Sequence, residues 1–295
     1  MKLVKTSPAT RDAAPPRWAD TVDFAQYARV KKRRRATKGV VLGLLGVIAM
    51  LAVWELASRV YDLEVLLPTP FTVIGNVIKT LSLRQDPWLY GPNIYRHLWA
   101  SLLRTITGFG LAAAIAIPLG LLLGRIAALR EFFGPVINIL YPIPGIAWVP
   151  LAILWFGLGD KAVVFSVFMA AVFPLYFNVV AGVRLISPSL VDAGRCYGAR
   201  GPMMFLKVIL PAATPHVIVG LRIALGNAWR MIVAAEMFAS STGIGFVLIQ
   251  SRYLFRAVDL MTAMILVSVV GYGTEKVIVG TIERWTIERW EVKSA

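Results

Sequence analysis

The sequence predicts an all-α, polytopic membrane protein with six transmembrane helices. Three observations predict it. Hydrophobic residues make up 58% of the 295 positions and charged residues 16%, against about 25% charged in soluble domains. Six apolar runs approach the roughly 20 residues that a helix needs to cross a bilayer core of about 30 Å. Finally, 31 Lys and Arg stand against 16 Asp and Glu, a net charge of +15, and the excess falls on alternate sides of those runs. The same composition argues against a soluble enzyme, a disordered chain or a fibrous repeat. A single cysteine, Cys196, excludes an intrachain disulfide. With only His97 and His216 beside it, it cannot build a zinc site.

The spans are expected at about 39–58, 98–124, 132–157, 161–183, 213–237 and 260–280. Residues 1–38 precede them as a basic tail, 39–280 form the transmembrane domain, and 281–295 follow as a C-terminal segment. With the N-terminus inside, the inside segments are 1–38, 125–131, 184–212 and 281–295, and they hold 20 of the 31 basic residues. The outside segments hold seven, and four lie within spans. By the positive-inside rule both termini and the 184–212 loop are expected to be cytoplasmic. Most of the +15 is then an orientation signal, and a nucleic-acid partner is not implied.

The tail contains KKRRR at 31–35 and leads into GVVLGLLGVIAMLAVWELAS. The basic part is too long for a signal-peptide n-region and no clear small-x-small cleavage site follows, so an uncleaved signal-anchor is expected. The run FAQYARVKKRRR either lies on the inner leaflet, drawn by about 1 kcal/mol per basic residue, or is a solvated topology signal. Outside the membrane, Thr69-Pro70 is a helix start, with Thr as N-cap and Pro in the first turn. Phe71, Ile74, Ile78 and Leu81 then share a face, predicting a short amphipathic helix against the outer face of the bundle.

In the second span Arg104 lies close to the outer end and is expected to snorkel. GLLLG at 120–124 permits a close helix approach, either within the subunit or across a dimer. Pro142, Pro144 and Pro150 fall in the third span, where each removes a backbone donor and bends the helix. A span so interrupted either faces the bundle interior, with Pro144 and Trp148 beside a path, or is kinked for packing. The fifth span carries Arg222, Asn227, Arg230 and Glu236. A charge at the bilayer centre costs about 2.5–3.5 kcal/mol, so such residues face a cavity or a partner. Arg230, with Asn227, either lines a translocation path that favours an anion or pairs with Glu236 or another helix. After the sixth span a tandem TIERW at 281–290 places Trp residues as interface anchors.

Phosphate-loop, H-E-x-x-H and G-x-S-x-G motifs are absent, as is any Cys/His cluster. An enzyme has little to work with, and no cofactor is expected on this chain. The strongest motif is DAGRCYGARGPMMFLKVILP at 192–211. Gly198 permits positive φ between two short helical pieces, Leu190–Tyr197 and Gly201–Val208, and Pro211 is expected to begin the fifth span.

This loop resembles the signature of ABC importer membrane subunits, in which E-A-A is followed by three residues, G, nine residues and I-x-L-P. Asp192 stands at the Glu position, Gly194 at the second Ala and Val208 at the Ile; Ala193, Gly198, Leu210 and Pro211 match, with Ala199 beside the Gly. The resemblance narrows through LPTP at 67–70, YPIPGIAWVPLAILWFGLGD at 141–160, GLRIALGNAWRMIVAAEM at 220–237 and STGIGFVL at 241–248. These look like the permeases for nitrate, sulfonate, taurine and bicarbonate. The resemblance implies a type I ABC importer fold and a coupling helix that docks on an ATPase. It implies two ATP-binding subunits carrying ATP and Mg, a second copy of the permease and an extracytoplasmic substrate-binding protein. The cargo implied is a small anion, or alternatively a vitamin precursor such as a thiamine pyrimidine precursor.

Overall fold

The structure, a computed structural model, describes residues 24–60, 66–82 and 93–286. The tail before Phe24, the outside stretches at 61–65 and 83–92 and most of the second TIERW lie outside the described residues. The chain divides into two units, Met1–Asp62 and Leu63–Ala295.

The described residues of the first unit form α1 (Phe24–Val60). Its apolar stretch Leu42–Val60 is long enough to cross a membrane, and the helix already includes KKRRR.

In the second unit the described residues form only helices and turns. They are α2 (Pro70–Leu81), α3 (Ile94–Arg125), α4 (Ala127–Leu140), α5 (Trp148–Phe156), α6 (Asp160–Arg184), α7 (Pro188–Cys196), α8 (Gly201–Ala239), α9 (Ile244–Tyr253) and α10 (Ala257–Thr286). The centre is α6, which packs most extensively, against α3 and α8. Small residues set those contacts. A Cβ on Gly108, Gly120 or Gly124 of α3 would stand 2.7 Å from a side-chain atom of Val167, Val179 or Val183 on α6. On the other contact Gly182 of α6 receives His216, and Gly220 of α8 receives Asn178 and Leu175. GLLLG therefore serves packing within the subunit, as close-packed apolar helices require.

The third expected span is not one kinked helix. It is α4 and a second helical piece, Gly145–Phe156, which includes α5; the two are bent 83° from each other. Pro142 brings no N–H, and Ile143 precedes Pro144, which biases it away from helical backbone. The chain crosses this gap in a turn and a 3₁₀ segment, Gly145–Ala147. Pro150 makes no kink, because it lies in the first turn of α5, where the N–H has no helical partner anyway. Gly157 (φ 73°) and Gly159 (φ 128°) then turn the chain into α6.

Helix α2 begins as read, with the Thr69 hydroxyl accepting the Thr72 N–H at 3.3 Å and Pro70 in the first turn. Its buried face differs from the expected one. Pro70, Val73 and Thr80 are buried, whereas Phe71, Ile74, Ile78 and Leu81 are exposed. Asn76 decides the orientation, donating to Asp259 Oδ1 (3.0 Å) and Thr262 Oγ1 (2.9 Å) on α10.

Candidate functional site

Two places carry the residues singled out from the sequence. The first is the 184–212 loop. Ser187 caps α7 by accepting the Leu190 N–H at 3.3 Å, and Pro188 fills the first helical position. The helix closes in a Schellman motif: Gly198 N–H donates to Arg195 O and Ala199 N–H to Gly194 O, both at 2.9 Å, with Gly198 at φ 82°. Gly194 is fixed by packing, since a Cβ there would stand 3.1 Å from Val208 Cγ2 and 3.3 Å from the Met204 thioether. Ala193 is exposed and Ala199 buried. Asp192 accepts from Arg195 Nη1 at 2.9 Å, and both line a cavity of about 260 Å³ against Gly124 and Arg125 at the end of α3. Tyr197 stands 92% exposed at the tip.

Leu210 and Pro211 are not in the loop proper. Helix α8 runs unbroken from Gly201, so Pro211 lies inside it instead of beginning the span. Residues Phe205–Ile209 form a π turn that makes room for Pro211, which has no N–H and whose ring would crowd the carbonyl four residues back. The α7 segment is thus joined by a short turn to one 39-residue helix, about 58 Å long at 1.5 Å per residue.

The second place is a cleft of about 610 Å³ where the α4–α5 gap faces α6 and α8. Tyr141, Pro144, Met169, Phe173, Asn227 and Arg230 are among its lining residues. Arg230 is exposed, its Nε donating to Gly226 O (3.1 Å) and its Nη2 to Asn227 Oδ1 (2.7 Å). Among the described residues no carboxylate pairs with it. Arg230 also borders a second cleft, of about 670 Å³, between α8, α9 and α10. Trp148 opens α5 beyond the residues lining the first cleft, and its buried Nε1 has no hydrogen-bond partner among the described residues.

Three other charges are placed differently from expectation. Arg222 bridges α8 to α10 through Glu283 (2.8 Å) and Glu275 (3.5 Å) instead of lining the cleft. Glu236 is fully buried and pairs with Arg104 at 2.8 Å, not with Arg230, so it is closed to a passing solute in this structure. Arg104 does not snorkel. It is 7% exposed, and its Nε also reaches Asp160 Oδ1 (2.8 Å), its Nη1 Thr242 O (2.7 Å) and its Nη2 Thr242 Oγ1 (2.8 Å). Ser101 Oγ lies 2.9 and 2.7 Å from the Glu236 carboxylate oxygens, and Glu236 Oε2 accepts the Gly245 N–H (3.0 Å). His97 Nδ1 accepts the Gly243 N–H, also at 3.0 Å. A buried carboxyl group is tolerated when its oxygens are hydrogen-bonded and paired in this way. Ser101, Asp160, Thr242 and Gly243 were not singled out from the sequence, and Arg104 was given a different role. The available signal was that Arg104 and Glu236 are opposite charges in two spans near the same end of the bundle.

Apolar helices of membrane length, one interrupted span, and a cleft holding an arginine without a carboxylate define a membrane transport component. The family described as "binding-protein-dependent transport system inner membrane component" matches residues 116–282. A Methanocaldococcus jannaschii protein named as an ABC transporter permease is 35% identical over 236 residues, covering 80% of this chain and 87% of its own. The bicarbonate transport system permease protein of Synechococcus elongatus is 32% identical, covering 88% and 93% of the two chains. The taurine transport system permease protein of Escherichia coli is 31% identical, covering 81% and 86%. A chain of the MetNI methionine ABC transporter, solved in inward-facing conformations, shares the fold with a TM-score of 0.57 and 22% identity, over 68% of this chain and 99% of that one. The chain belongs to the binding-protein-dependent ABC importer permeases, in the nitrate, sulfonate, taurine and bicarbonate family.

Proposed function

We propose that the chain forms, with a second copy of itself, the path by which an ATP-driven importer takes up a small anion of the sulfonate, taurine, nitrate or bicarbonate type. The observation that carries this reading is Arg230. It sits in a cleft bounded by an interrupted span, and Asn227 and Gly226 on its own helix orient it. Its Nη1 and the Asn227 amide nitrogen have no protein hydrogen bond among the described residues, which leaves donors for an anionic group. The relatives named for taurine and bicarbonate support an anionic cargo. Two ATP-binding subunits, holding ATP and Mg, receive the 184–212 loops from the cytoplasmic side. An extracytoplasmic binding protein delivers the solute. Closure of the ATPases on ATP displaces the two loops and changes access to the cleft.

The test is Arg230→Glu in the assembled transporter, with uptake of candidate anions and co-purification of the ATP-binding subunit measured together. Uptake is expected to fall at least about tenfold, ~1.4 kcal/mol, with co-purification unchanged. Unchanged uptake rejects Arg230 as part of the path. A permease that captures no ATP-binding subunit, even in its wild-type form, rejects the assembly.

A further inference from the structure

The Arg104 network lies at the end of the bundle away from the 184–212 loop. Arg125, at the opposite end of α3, lines the cavity with Asp192 and Arg195. Arg104 is 21 positions back along the same helix, about 32 Å at 1.5 Å per residue. Helix α8 makes the same journey, from Gly201 beside the coupling loop to Glu236, one turn before its end. Between these ends α3, α6 and α8 interlock through Gly108, Gly120, Gly124, Gly182 and Gly220, so they cannot slide past each other without clashes. The three helices are therefore one body from the loop to the network.

Beyond Ala239 the chain leaves that body. Residues 240–243 are a non-helical turn, and α9 follows, packing on α8, α10 and the start of α3. This segment is fixed to the three-helix body by apolar packing, in which Ile244, Val247 and Leu248 cluster with Ile94, Leu98 and Val233, and by polar contacts that pin its turn. Arg104 holds Thr242 by its carbonyl and its hydroxyl, Glu236 holds the Gly245 N–H, Ser101 the Ile244 N–H (2.9 Å) and His97 the Gly243 N–H. Glycine at 243 is obligatory here, because a Cβ would fall on the Glu236 carboxylate and φ is 115°. A Cβ on Gly245 would clash with the Val233 carbonyl oxygen and stand 2.7 Å from Glu236 Cβ. Asp160, whose side chain is 75% exposed, clamps the outer edge of Arg104 from the first residue of α6.

We infer that Arg104 and Glu236 are positioning residues for transport: they make segment 240–253 move with the three-helix body, so that displacement at the coupling loop arrives at the opposite mouth of the path. Neither touches the solute. The inference rests on the proposed coupling to ATPase subunits. It differs from a purely structural role in one readout, the number of solutes imported per ATP hydrolysed.

The experiment uses the whole transporter in proteoliposomes, with its binding protein, and measures uptake and ATP hydrolysis in the same vesicles. Arg104→Lys keeps the charge opposite Glu236 but has no planar fork to span Asp160, Glu236 and Thr242 together. ATP hydrolysis is expected to persist while solute imported per ATP falls about fivefold or more, the low end of the usual range for coupling between sites. An unchanged ratio in assembled Arg104→Lys transporter overturns the inference. Should that variant fail to accumulate, Asp160→Asn serves, because its side chain is largely exposed; its ratio is expected to fall about twofold, and no fall again overturns the inference. Failure of the wild-type complex to hydrolyse ATP would instead reject the ATPase coupling, a separate outcome.

Discussion

At the scale of single residues, Gly243 shows how one missing side chain supports a buried charge. Its backbone (φ 115°, ψ 170°) lies in a region essentially closed to other residues, and its Cα side faces the Glu236 carboxylate. Gly243→Ala therefore strains the turn and pushes Glu236 off Arg104, leaving two buried charges poorly paired. The expected cost is about 3–5 kcal/mol, that of breaking a buried pair, seen as a lowered melting temperature in detergent. A variant as stable as the wild type would show that Glu236 can move without loss. Little of this was legible in the sequence. The in-span charges were visible one by one, but Arg104 and Glu236 are 132 positions apart, and helical periodicity pairs only residues on the same element. Arg230 was legible, because its own helix supplies both of its partners, Gly226 and Asn227. Gly198 was legible for the same local reason: a helix that must stop and turn back needs positive φ.

At the scale of elements, apolar patterning located the helices but misjudged which face of α2 is buried. The Phe71, Ile74, Ile78 and Leu81 stripe of α2 points outward, and the helix is held through Asn76 on another face. In water an apolar stripe points to the core, but beside lipid the outward face is as apolar as the packed one, so the stripe gives an axis without a direction. Helical glycines mark a close contact at some positions and open space at others. Gly120 on α3 abuts Val179, where a Cβ would stand 2.7 Å away, while Gly134 on α4 has open space around it. Gly120→Ala is expected to destabilise by about 1–3 kcal/mol through overpacking. Gly134→Ala is expected to be neutral or to stabilise by about 0.5–1 kcal/mol, because it only removes backbone freedom. Thermal unfolding of the two variants side by side checks the contrast, and equal shifts would mean that α3 does not need its close approach to α6. The third span shows the other limit. Four prolines were equally visible in the sequence, yet only Pro142 and Pro144 divide the span: Pro135 lies inside α4, and Pro150 falls where a helix has a spare donor position.

At the scale of the whole molecule, the excess of positive charge is a statement about sidedness, and the fold allows it to be tested without engineering. Helices α3, α6 and α8 each run between the same two ends of the unit: Arg104, Asp160 and Glu236 meet at one, while Arg125, Asp192 and Arg195 meet at the other. The second end carries the basic segments 125–131 and 184–212, so the positive-inside rule predicts that it faces the cytoplasm. Cys196 is the sole cysteine of the chain, and it is exposed at the end of α7 in that loop. A membrane-impermeant thiol reagent should therefore label inside-out vesicles and leave intact spheroplasts unlabelled. Because Tyr197 beside it is 92% exposed, more than the other large hydrophobic side chains of the loop, a docked ATPase should shield the thiol. Adding purified ATP-binding subunit to permease-only vesicles should slow labelling at least several-fold, by exclusion of solvent at the interface core. Labelling of spheroplasts would reverse the orientation, and with it the side from which the loop is driven. Labelling of inside-out vesicles that the ATPase leaves unchanged would keep the orientation but move the docking surface away from the α7–Gly198 turn.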